Sequence, residues 1–481
     1  MESINVNQKK ELLKRIRFIL SKYDIIFFIF LLIPLFLNIL RESPALVALC
    51  FAFSLLFLLF SSEQSQVHYF LFFASFSMVF KFFSSGTSCI TYLLLVFFIE
   101  RFALVLMKKR KLSNAFFPFC FFVILFAVYI ILIDFLHLSG ISFKSLPSFF
   151  LYFLFPVFAF ETSDNKELYK SSYFYIIYGL FGSMVFGIAG AFNPDIRRTL
   201  YLYIETVYQG GSFFSVRFNG LIGDPNYYTF FILAEALLFV LIERKPFAAR
   251  DRVGFLLTAL LLLSGLITQS KTFYIGLLLF LLFLLFRGRK MGGKTGLITL
   301  LCVGIGALAV DIFFGQQLLS TIIKRFTNST GSSFSLDNIT TNRSDLWNIY
   351  TIYFLGHPID FFFGQGLRAS VPFYNDMHNT LLRLLWDFGL FGSLLYCMTV
   401  LFSIFYRFIS EKSSVPVLFL VSRSIKKYWP LLVWIFLASL VLDLNSLSWI
   451  FVFSSGILFF GEDFEKQDEE RNVFSRYVLI Q

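Results

Sequence analysis

The feature that most constrains this chain is the serial repetition of apolar runs, each about 15 to 23 residues long, divided by short charged clusters. A helix of that length crosses the hydrocarbon core of a bilayer. Backbone amides have no water to bond to in lipid, so only helices and closed barrels span it. The runs here are continuous and lack the two-residue alternation of a barrel strand, so they specify helices. The chain is 57% hydrophobic and holds Phe 71 times, which leaves too little polar residue to coat a soluble globule of 481 residues.

The expected fold is all-α: a polytopic transmembrane bundle of about 12–14 spans, forming one domain over residues 1–481. Spans are placed at 24–40, 44–60, 67–83, 89–107, 115–136, 146–160, 173–192, 226–242, 253–268, 272–286, 295–314, 382–406, 429–443 and 446–460, the last two being short enough for a re-entrant hairpin. No cleavable leader is evident, and Lys9 to Arg17 lead into a retained first span. Alternate loops carry the basic clusters Lys108–Lys111, Arg244–Arg252, Arg287–Lys294 and Arg407–Lys427, so most of the 41 Lys and Arg fall on one side, together with both termini. By the positive-inside rule that side is cytoplasmic. The net charge of +11 is thereby explained by topology rather than by nucleic acid.

Two outer loops are long, 193–225 and 315–381, and long loops on one face of a bundle commonly carry function. In the larger one, Leu346, Ile349, Tyr350 and Tyr353 fall on one helical face after the pair Asn342 and Asp345, which predicts an amphipathic helix over the outer mouth. The five cysteines, Cys50, Cys89, Cys120, Cys302 and Cys397, are far apart within apolar runs and suit neither a disulfide nor a metal cage. No metal spacing, nucleotide loop or serine elbow is visible, so no cofactor is expected.

Outward-facing cations are the informative ones, because topology predicts few there. Arg217, Lys271, Arg343, Arg368 and Arg383 lie in the long loops or at outer helix ends. Lys271 follows the turn Thr268-Gln-Ser and begins the next helix, where a cation adds to the positive helix end unless an anion binds both. Snorkelling to lipid headgroups is the alternative for Lys271, and an ordinary solvated loop position is the alternative for Arg217. Asp224-Pro-Asn226 predicts a helix start with Asp224 as cap and Pro225 at the first position. His378-Asn379 stands where the large loop re-enters the bundle, with Arg383 four residues after Asn379. Histidine removes a proton near neutral pH, although an interfacial histidine also serves structure alone. His68, His137 and His357 lack comparable company in sequence. Glu100, Asp134, Glu235 and Asp387 suit either a relay or pairing with Arg101 and Arg383.

Over residues 215–395 these pieces resemble the Wzy-type polysaccharide polymerase and O-antigen ligase superfamily of bacterial membranes. The resemblance rests on Arg217-x-x-Gly220, the Ser270-Lys271 turn, Arg343 with Trp347, Gly364-x-Gly366, and His378-Asn379 followed by a helix with Gly389. It implies a GT-C-like bundle in the bacterial cytoplasmic membrane that works on a glycan carried by undecaprenyl diphosphate at the outer leaflet. The implied reaction inverts the donor sugar without metal or nucleotide. Carried over by position, Arg217 and Lys271 hold the diphosphate, Arg343 and Arg383 assist, His378 is the general base, and Asn379, Asp224 and Asn226 support them. Lys271 departs from the more usual arginine and cannot form a planar bidentate fork. The resemblance covers polymerases of lipid-linked repeats and ligases that move finished glycan to another lipid or protein. It also implies a flippase and a chain-length regulator as partners. A transporter is the rival from another class, but no internal repeat is found.

Overall fold

The structure is a computed structural model, and it describes residues 23–137 (apart from 85 and 110), 145–162, 169–204, 218–241, 249–288, 343–367, 379–406 and 417–440, with a few further positions such as 369 and 442. Fifteen helices carry the argument. They are α1 Asp24–Arg41, α2 Pro44–Phe60, α3 Glu63–Phe73, α4 Cys89–Leu106, α5 Phe116–Leu136, α6 Ser145–Thr162, α7 Tyr169–Phe192, α8 Pro194–Tyr203, α9 Pro225–Leu241, α10 Ala249–Ile267, α11 Lys271–Gly288, α12 Arg343–Gly356, α13 Pro358–Phe363, α14 Thr380–Ile404 and α15 Val417–Ser439. Among the described residues there is no strand, only the isolated bridge between Lys81 and Ser88. Five segments, Asp24–Arg41, Cys89–Leu106, Phe116–Leu136, Phe174–Phe192 and Thr380–Ser403, are long and apolar enough to cross a membrane, and six shorter helices are also apolar. The chain is thus an all-α membrane protein.

Backbone contacts divide it into two compact units, residues 1–112 with 151–224 and residues 113–150 with 225–481. In the first unit the short α3 is the core. Every residue from Ser65 to Phe73 is buried, and Gly179 of α7 packs directly on the Phe72 backbone, where a side chain would clash. Phe28, Phe57, Tyr69, Phe73 and Phe76 interlock around it with ring centroids 4.5 to 6.0 Å apart. Abundant phenylalanine therefore fills gaps between helices as well as facing lipid.

Four sequence expectations shift. The span expected at 67–83 begins instead at Glu63, ends in a 3-10 turn at Ala74–Phe76, and gives way to a loop. Hydropathy did not register that Ser62 caps the helix, its Oγ accepting from Ser65 N at 3.2 Å. The outer loop 193–225 contains α8, capped by Asn193 Oδ1 on Asp195 N at 2.9 Å with Pro194 in the first turn. α15 begins at Val417 rather than 429, so the helix extends back through the basic stretch that the sequence reading assigned to a loop. In α12 the buried face is Leu346, Tyr350, Tyr353 and Phe354 against Trp386, while Ile349 is 44% exposed. Residues 295–303 and 446–460 lie outside the described residues, as does Asn342.

Candidate functional site

Three helices of the second unit begin at one end of it. α9 starts at Pro225, as expected, since a first-turn proline gives up an amide that has no helical partner anyway. α11 starts at Lys271. The turn before it is held by Thr268 Oγ1, which donates to Gly265 O at 2.6 Å and accepts from Ser270 N at 3.2 Å. Gln269 takes a positive φ of 52° there. Ser270 Oγ accepts from Phe273 N at 3.4 Å and donates to Asn226 Oδ1 at 2.6 Å. That last bond ties the starts of α9 and α11 together. Lys271 is half-buried beside them.

α14 begins at Thr380 with Asn379 as its cap: Oδ1 accepts from Leu381 N at 2.9 Å and Leu382 N at 3.2 Å. Asn379 thus spends its carbonyl oxygen on two amides that a helix start leaves unmatched. Arg383, one turn on, donates from Nε to Asp387 Oδ2 at 3.0 Å and from Nη2 to Ala369 O at 3.3 Å. The helix then breaks at Gly389, whose φ of 62° and ψ of −174° are not helical. Such a break frees the carbonyls preceding it, and burial demands other donors. The Gly364-Gln-Gly366 element supplies them: Gln365 N donates to Trp386 O at 2.7 Å and Gly366 N to Asp387 O at 2.9 Å. The Tyr129 hydroxyl of α5 sits 2.9 Å from both Phe388 O and Phe363 O. Leu367 N donates to Asp134 Oδ1 at 2.8 Å, so the intramembrane acid Asp134 holds this loop.

The three helix starts share one end for a traceable reason. Trp434 of α15 rests on Gly276 of α11 and donates from Nε1 to Phe230 O of α9 at 3.1 Å. Trp429 meets Phe283 at 6.2 Å. Moving forward along α15 is moving backward along α11, so the two are antiparallel. The C-terminal end of α15 therefore lies where α11 begins, and just past it Leu442 O accepts from Thr380 Oγ1 at the start of α14. At 1.5 Å per residue, Lys271 is about 8 Å along its axis from Gly276, and Pro225 about the same from Phe230. Three helix starts, with Lys271 among them and Arg383 one turn inside and paired with Asp387, gather at one pole of the unit. That is an electrostatic environment suited to an anion with several oxygens.

The remaining expected site residues fall elsewhere. Arg217, Arg368 and His378 lie outside the described residues, and of Arg343 only the backbone, at the start of α12, is described. Asp224 is the last residue of the first unit. Among the described residues no group of three or more His, Cys, Asp or Glu is placed to hold a metal ion.

In the first unit, two features escaped the sequence. His68 does have company: its Nδ1 is 3.0 Å from Asp24 Oδ2, its ring stacks on Tyr175 at 3.8 Å, and the Tyr175 hydroxyl donates to Asp24 Oδ1 at 2.7 Å. These partners are 44 and 107 residues away, on α1 and α7, so local spacing carried no sign of them. Asn219 is fully buried, and among the described residues neither its Nδ2 nor its Oδ1 has a hydrogen-bond partner. It stands inside Arg217-Phe-Asn-Gly220, between Phe218 and the positive-φ Gly220, which was the available signal. An orphaned buried amide costs about 1–3 kcal/mol. Arg101, 1% exposed, bonds Gln66 Oε1 and pairs with Glu63 at 3.0 Å, while Glu100 Oε2 accepts from Gln66 Nε2 at 3.0 Å. Pairing therefore accounts for that intramembrane cation.

No family model matches the chain, and no curated protein matches it.

Proposed function

We propose that this protein is a membrane glycosyltransferase that polymerises lipid-linked oligosaccharide repeats. In the proposed reaction the growing glycan leaves its undecaprenyl diphosphate and joins a sugar hydroxyl of the next lipid-linked unit. The bond from the anomeric carbon to the diphosphate oxygen breaks as the bond to the acceptor oxygen forms, and the acceptor proton passes to His378. The lipid diphosphate departs carrying the bonding pair. Arg217, Lys271 and Arg343 or Arg383 offset its growing negative charge.

The observation that supports this reading is the meeting of three helix starts, α9, α11 and α14, near Lys271 and Arg383, with His378 the residue before Asn379 in sequence. Positive helix ends and a lysine favour a diphosphate. The positive-inside bias supports placing this chemistry at the outer face of the membrane. A second reading, proton-coupled transport, draws on the buried Asp24, His68 and Tyr175 cluster, since buried ionisable groups in spans often relay protons.

One experiment separates them. Purified protein is incubated with a defined lipid-linked repeat, without metal or nucleotide, and the products are resolved by length. The wild type gives a ladder and His378→Ala gives none at equal protein level. A ladder from His378→Ala removes the proposed base. Uptake by sealed vesicles without any ladder replaces the polymerase with the transporter.

A further inference from the structure

α12 and α13 expose an apolar surface that water does not readily tolerate. Ile352 is 61% exposed, Leu355 80% and Ile359 71%, joined by Ile349, Phe362 and Phe363. A contiguous patch of this kind on a folded chain marks an interaction surface. The two helices are 14 and 6 residues long and are separated by His357, too short to cross a bilayer.

What covers the patch is indicated by what it adjoins. Phe362 stacks on Phe391 of α14 at 5.7 Å, and Phe363 meets the same ring at 5.5 Å. Phe391 opens the outward stripe of α14, continued by Leu394, Met398 and Leu401, all about half exposed and spaced three and four apart. α14 is one of the segments long and apolar enough to cross a membrane, so that stripe faces acyl chains. The α12–α13 patch is an unbroken extension of it.

The polar groups in the segment are turned toward one another. Asp360, the one charged residue between Ile349 and Phe363, accepts the Tyr353 hydroxyl at 2.8 Å. His357 Nδ1 donates to Tyr353 O at 2.9 Å while its ring stacks on Tyr353 at 4.1 Å. Thr351 Oγ1 donates to Trp347 O at 2.8 Å. Internal satisfaction of this kind is what a segment in a low-dielectric medium requires.

We infer that α12 and α13 form a lipid-inserted hairpin whose occupant is the bilayer itself, with the Leu355 and Ile359 face sunk into the boundary between headgroups and acyl chains. The sequence reading placed this helix over the outer mouth; the inferred insertion sets its exposed face in the leaflet beside it. Insertion also sets the height of the Gly364–Gly366 element, because α13 runs straight into it and that element closes the break in α14. The hairpin is thus a lipid-anchored lever on the start of α14.

The test uses the full chain with its five native cysteines replaced by alanine. Single cysteines at Leu355, Ile359 and the exposed Asp195 of the outer loop 193–225 carry an environment-sensitive fluorophore in phosphatidylcholine–phosphatidylglycerol vesicles without substrate. Acyl-chain nitroxide lipids should quench the labels at 355 and 359 at least about threefold more than that at 195, and aqueous iodide should show the reverse order. A diazirine acyl-chain lipid should also mark residues 349–363 of the unmodified protein. Equal iodide access at all three positions overturns the inference. So does protection at 355 and 359 that vanishes at one chain per vesicle, which assigns the face to a second copy. Neither readout involves glycan, so failure here leaves the proposed reaction untouched.

Discussion

Replacing Gly364 with alanine tests the break in α14 most directly. Its φ of 79° and ψ of −178° lie in a region essentially restricted to glycine. An added Cβ would fall 2.6 Å from the Phe388 carbonyl carbon and 2.7 Å from Asp387 O, and nearer still to Gly389 N. Those neighbours are backbone and cannot rotate aside. Strain of about 1–3 kcal/mol and overpacking of similar size give a total of about 2–6 kcal/mol, enough to lower the melting temperature by several degrees. Gly389→Ala should behave alike, since its Cβ would sit 2.5 Å from the Phe362 carbonyl carbon at a φ of 62°. Gly356→Ala is the control, because nothing lies within 4 Å of its Cβ and no left-handed φ is involved. The three variants are compared by thermal unfolding in detergent and by ladder synthesis. The expected order is Gly356→Ala indistinguishable from wild type and both others destabilised with shortened or absent polymer. Gly364→Ala melting with the wild type and making normal polymer would refute the close approach between α13 and the break.

Removing Arg383 alone strips the partner from Asp387, which is 6% exposed, and should cost about 3–5 kcal/mol; Arg383→Leu with Asp387→Leu should recover much of that stability in the same melting assay but no ladder. Arg101→Leu removes the guanidinium from Glu63 and from Gln66 Oε1 and should reduce folded protein recovered from the membrane more than Glu63→Gln does, as read by size-exclusion chromatography. Burial holds Lys81 below the ordinary lysine value. Its folded pKa is depressed, so the unfolded chain binds more protons at intermediate pH and the charged amine opposes folding there. Lys81→Met should therefore melt slightly higher than wild type at pH 7, with the gap narrowing as pH rises through the depressed lysine value toward 10.5.

Sequence alone determined that the chain is helical and lives in lipid, because apolar run length and backbone satisfaction admit little else. It also placed Pro225 and Lys271 at helix starts, and Asn379 beside another, since proline and cap chemistry act over three or four residues. The proposed glycosyl transfer draws on that local legibility and on resemblance, with Arg217 and His378 outside the described residues. Tertiary structure decided what no window could contain: His68 finds Asp24 and Tyr175 from other helices, Asp134 meets Leu367 N across 233 residues, and a tyrosine of α5 bonds the carbonyls at the break in α14. The physical reason is that hydropathy records how much surface avoids water, a property of each residue, whereas a buried polar group is specified by the partner that satisfies it, a property of the fold.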